Sequence, residues 1–112
     1  MSLKLIYLAT PYSHPCPTIR AARFRVVTAV AAKMMREGEI VFSPITHCHP
    51  MAEAGGLPTE WAFWQVYDEL MITKCQLMVV VMQVGWKESV GVQREIAIAE
   101  ENDIPVEYYR VN

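Results

Sequence analysis

Residues 76–82 read QLMVVVM, and after Gln76 the run holds no polar side chain. A strand with one wet face alternates polar with apolar residues, whereas an unbroken apolar run is buried on both faces. Such a strand belongs in a parallel sheet covered by helices on either side, and its neighbours in sequence read as those helices. Upstream, Pro58 suits the first turn of a helix running to about residue 74. Downstream, Gly85-Trp86 ends the strand, Ser89 is a candidate N-cap for a helix to about residue 102, and residues 105–109 give a last strand.

Further out, residues 3–9 (LKLIYLA) form an apolar, aromatic run that stops at Thr10-Pro11, where proline removes a ladder donor. An alanine-rich helix is predicted over 18–36, with Thr18 as N-cap and Gly38 as the C′ glycine. Residues 39–43 (EIVFS) make a second strand stopped by Pro44, and 45–57, with two histidines, Pro50 and Gly55-Gly56, read as a loop of functional length. The order β-α-β-α-β-α-β with right-handed crossovers predicts an α/β, three-layer, flavodoxin-like (Rossmann-like) fold, a parallel sheet with helices on both faces. With the first helix on one face and the later ones on the other, the strand order is 2-1-3-4. It reverses between strands 1 and 3, and ligands bind at such a switch point. The mouth there comprises residues 10–14, residues 83–89 and the starts of the first and third helices.

The 112 residues suffice for one domain, 1–112, and 53% hydrophobic content is too high for a disordered chain. Ten basic against twelve acidic residues leave a formal charge of −2, without the cationic excess that nucleic acid or an anionic membrane calls for. No apolar run approaches the roughly 18 residues of a membrane-spanning helix. Cys16, Cys48 and Cys75 are odd in number and widely spaced, with no CxxC pair and no secretory signal ahead of them. They read as reduced thiols of a cytoplasmic protein.

Several charged side chains stand where folding alone gives no reason for them. On a helical wheel, Gly91, Val92, Ile96, Ile98 and Ala99 gather into one apolar arc, and Glu95 falls in its middle. A carboxylate turned toward a sheet is costly unless it is paired or accessible. The helix predicted over 58–74 turns Gln65, Glu69 and Thr73 outward and sets Asp68 between Trp61, Trp64, Met71 and Ile72. Both acids are candidates for chemistry. The competing readings are a rotated helix or a structural ion pair for Glu95, and an aromatic core or subunit interface around Asp68. Arg20 and Arg23 lie near the start of the first helix, where a guanidinium fork and the helix dipole favour an anion, or where two long side chains merely snorkel. His47, Cys48 and His49, with His14, are of the right type for zinc, but no fourth ligand is evident and no metal is assigned. Trp61, Phe63, Trp64 and Tyr67 on one helix exceed what a small sheet covers, which predicts a homo-oligomer.

IYLATPYS at residues 6–13, YDEL at 67–70 and SVGVQREIAIA at 89–99 together resemble the nucleoside 2-deoxyribosyltransferase superfamily. The last motif is also similar to that of the 2′-deoxynucleoside 5′-monophosphate N-glycosidases, and the likeness extends over nearly the whole chain, nearest to a short bacterial branch. The resemblance implies a nucleophile at Glu95, an acid assisting the leaving base at Asp68, a tyrosine near the sugar at Tyr7 and a phosphate-binding hydroxyl at Ser89. Ala9, Thr10, Ser13, Arg20, Arg23, Trp86 and Gly91 complete the expected binding set. The implied partner is a small nucleoside or nucleotide, and the chemistry calls for no cofactor. Two departures stand out. Gln83-Val84-Gly85-Trp86 occupies the place where many of the transferases carry an acid, and Pro11-Tyr12-Ser13-His14 replaces the arginine-rich phosphate loop of the glycosidases. A non-catalytic binding module for nucleotides or related small molecules, in which Glu95 only accepts a hydrogen bond, is the alternative, and a structural oligomerisation domain is a third reading.

Overall fold

In the computed structural model, which describes residues 3–111, the run at 76–82 becomes strand β3 (Leu77–Met82), buried along almost its whole length. It lies beside β1 (Leu5–Ala9), and the flanks of this pair are β2 (Ile40–Phe42) and β4 (Val106–Arg110). All pairings are parallel and the order is β2-β1-β3-β4, the expected topology. Tyr7 sits opposite both Phe42 and Met78, which puts the middle of β1 at the centre of the sheet.

Alternation along the strands splits the core in two. Ile6, Leu8, Val79 and Val81 face helix α1 (Pro17–Arg36) and meet Val27, Val30, Ala31 and Met34. Tyr7, Ala9, Met78 and Val80 face the other way, toward Ile72 of α3 (Trp61–Thr73) and Val92, Ile96 and Ala99 of α4 (Val90–Glu101). The four α4 side chains buried at spacing i, i+3, i+4, i+7 are Val92, Glu95, Ile96 and Ala99, so Glu95 is part of the buried stripe itself.

Several boundaries differ from the sequence reading for local reasons. Helix α1 starts one residue earlier than Thr18, because Pro17 takes a first-turn position that suits its fixed φ and missing N–H, and Cys16 stands at the cap. The segment at 45–57 is mostly not a loop, since residues 45–55 belong to α2 (Pro44–Gly55). Ser43 Oγ accepts from the Thr46 N–H, Pro44 fills the first turn and Gly56 closes the other end at φ +64. These caps, and the burial of Cys48, His49 and Ala52, offset the hydrogen bond that Pro50 cannot donate. Helix α3 begins at Trp61 rather than at Pro58. The carbonyls ahead of it are engaged by side chains, Pro58 O by Trp64 Nε1 at 2.8 Å and Thr59 O by Ser13 Oγ at 2.6 Å, so this approach segment stays extended as a wall. Ser89 caps α4 as expected, its Oγ accepting from the Val92 N–H at 3.1 Å. Among the described residues no helix is long and apolar enough to cross a membrane.

Candidate active site

Above the carboxyl end of β1, the loop after that strand, α2, the start of α3 and the start of α4 enclose a cavity of about 510 Å³. That is the size of a small-molecule site. Thr10, Tyr12 and Ser13 line it from the β1 loop, His49 and Cys48 from α2, Trp61 and Trp64 from α3, and Ser89 and Gly91 from α4. The carboxylates of Asp68 and Glu95 border it although both residues are buried, at 8% and 5% exposure.

Tyr7 lies beneath, fully buried, and its hydroxyl donates to Glu95 Oε2 at 2.5 Å. A short bond of this kind favours the ionised acceptor. Burial works in the other direction. It raises Asp68 to about 7 against the hydrogen-bonding influence of Tyr7. Burial and the neighbouring charge of Asp68 hold Glu95 well above the ordinary carboxylate range. Two acids in one buried site resist ionising together, so the pair retains a proton near neutral pH. Burial, followed by the two carboxylates, raises the Tyr7 hydroxyl as well, and it remains a donor.

The second wall was less legible in the sequence. Tyr12 OH and His49 Nδ1 are 2.5 Å apart, Phe24 stacks on the imidazole at 4.4 Å, and Glu53 Oε1 lies 3.9 Å from Nε2. His49 is thus a fixed, hydrogen-bonded part of the cavity. The other histidines are engaged elsewhere, His14 Nδ1 by the Cys16 N–H and His47 by stacking on Tyr67.

Of the expected binding residues, Thr10, Ser13, Ser89 and Gly91 line the cavity. Gly91 leaves its helix start open to the ring of Trp61, 3.6 Å from where a Cβ would stand. Ala9 is completely buried below the cavity. Arg20, Arg23 and Trp86 are not among the residues that line it. Arg20 Nη1 donates to His14 O, and Arg23 donates to the carbonyls of Tyr12, Ser13 and Val84. The guanidinium of Arg23 thereby ties the β1 loop to the β3 loop, and Gly85, at φ +94, leaves it room, because a Cβ there would stand 2.8 Å from Nη2. Gln83 reinforces the same junction, its Nε2 donating to Thr10 Oγ1 at 2.8 Å and to Arg23 O at 3.0 Å. Trp86 turns away to pack against Tyr108 at 5.5 Å. The α3 aromatics divide likewise. Trp61 and Trp64 face the cavity, Tyr67 stacks on His47, and Phe63 alone of the four is exposed.

Fold and site together define a parallel α/β domain with a buried acid pair at its topological switch point. The family model described as "Domain of unknown function (DUF1937)" matches residues 4–111, and the chain belongs to that family. A comparison with curated proteins gives no match to this chain.

Proposed function

We propose that this protein cleaves, or transfers at, the N-glycosidic bond of a nucleoside or nucleoside 5′-monophosphate, with Glu95 as nucleophile and Asp68 as acid. The observation that carries the reading is the hydrogen bond from buried Tyr7 to Glu95, on a carboxylate that folding does not need and that borders a cavity of ligand size. The resemblance of residues 6–13, 67–70 and 89–99 to the nucleoside 2-deoxyribosyltransferase superfamily supports the same assignment.

In this mechanism the Glu95 carboxylate attacks C1′ as the C1′–N bond breaks through an oxocarbenium-like state. The bonding pair leaves on the base nitrogen, which takes the proton of Asp68. Tyr7 holds the attacking carboxylate by donating to its other oxygen. In the second half, Asp68 removes a proton from water or from an acceptor base. That nucleophile bonds to C1′, and the ester pair returns to Glu95. A shared proton suits this division of labour, since one acid must begin ionised and the other protonated.

Three free cysteines accord with a reducing, cytoplasmic setting. Exposed Phe63, Val66 and Leu70 on the outer face of α3 support association of copies of the chain. The direct test of the mechanism is mass spectrometry of wild-type protein incubated with a slow 2′-fluoro nucleoside analogue. A sugar adduct is expected on the peptide containing Glu95. Turnover of nucleosides with an adduct elsewhere would remove Glu95 from the role, and no turnover of any nucleoside or nucleotide would favour a binding module.

A further inference from the structure

Four of the side chains that line the cavity are carboxylic acids. Glu60 and Glu88 stand exposed at its mouth and Asp68 and Glu95 in its depth, and its lining among the described residues includes no lysine or arginine. The cations nearest in sequence to the β1 loop are committed to the frame of the site. Both Nη1 contacts and one Nη2 contact of Arg23 go to loop carbonyls, and Arg20, outside the lining, holds His14 O and stands beside the Tyr12 hydroxyl. Turning Arg23 toward a ligand would unfasten the β1 loop from the β3 loop. The first turn of α4 is the remaining place for an anion, but Ser89 Oγ already occupies the Val92 N–H and the carboxylate of Glu88 directly precedes that cap.

A nucleoside 5′-monophosphate brings close to two negative charges at neutral pH. Facing acids across a partly enclosed cavity, that group loses hydration without finding an opposite charge in the lining. We infer, resting on the N-glycosidic reading of this site, that the substrate is an uncharged nucleoside and that the acidic rim formed by Glu60 and Glu88 turns its 5′-monophosphate away.

The test gives wild-type protein a nucleoside and its 5′-monophosphate at equal concentration and compares kcat/KM, alongside calorimetric binding of both to Glu95→Gln. The nucleoside is expected to be preferred by about 100-fold at low salt, each rim carboxylate contributing about tenfold. The preference should shrink as salt rises. Glu88→Lys and Glu60→Lys should each lower the ratio by about tenfold or more. Equal or better use of the monophosphate, or a ratio unmoved in both variants, overturns the inference while leaving the glycosidic reading intact. Tighter binding of the nucleoside without cleavage of either compound overturns the glycosidic reading and supports the charge selection. Binding of neither compound overturns both.

Discussion

On the face covered by α1, β1 presents Ile6 and Leu8 to Val27, Val30, Ala31 and Met34, and the polar side chains buried at the strand ends there, Thr10 and Gln83, are uncharged. On the opposite face the same strand presents Tyr7 and Ala9, and the packing there admits Asp68 and Glu95 at 8% and 5% exposure. One strand thus supplies both environments by simple alternation. The first face has what stability requires. The second carries two acids whose burial opposes stability and whose position is explained by the cavity they border.

Substitutions on the two faces should therefore separate activity from folding. The largest effect is expected for Glu95→Gln, which keeps size and shape while removing the anion. Turnover of a nucleoside should fall on the order of 10⁴-fold, with the melting temperature held or raised. Full activity in this variant, read by steady-state kinetics, would collapse the distinction between the faces. Next is Leu8→Ala on the dry face, where loss of a fully buried side chain should cost about 3 kcal/mol in urea denaturation, with turnover per folded molecule retained.

The smallest effect concerns pH. In the folded chain Asp68 is raised to about 7, above its value in an unfolded chain of roughly 3.9. The folded state therefore holds the proton more tightly. Stability from this group is complete below the unfolded value, declines as pH rises toward 7 and is flat above it. Asp68→Asn removes that penalty, so it should gain on the order of 2 kcal/mol over wild type at pH 8 and clearly less at pH 5, by denaturation at the two pH values. A gain equal at both would assign the effect to packing.

The acids were legible because helical periodicity makes an out-of-place charge conspicuous, and Glu95 interrupts a stripe otherwise made of Val92, Ile96 and Ala99. Strand order was legible from the alternation of elements and the handedness of crossovers. Helix α2 was not, since Pro50 and Gly55-Gly56 are breakers by type while Ile45, Cys48, His49 and Ala52 at spacing i, i+3, i+4, i+7 carry the contrary signal. With α2 missed, the pairing of His49 with Tyr12 stayed hidden. The contacts of Arg20 and Arg23 were not legible for another reason. Their partners are main-chain carbonyls, which have no residue type to recognise. Trp86 depended on the left-handed turn at Gly85, which aims it at β4.

The outermost strands of the sheet bear on how this chain behaves at high concentration. An unpaired strand edge is a template on which another molecule can add its own strand and begin a fibril. Here one edge, β2, is only three residues long, and the other, β4, sets Glu107 and Arg110 on either side of its two tyrosines and follows Pro105. Short length, charge and proline each discourage such addition. The sheet is thus closed to growth by the composition of its margins.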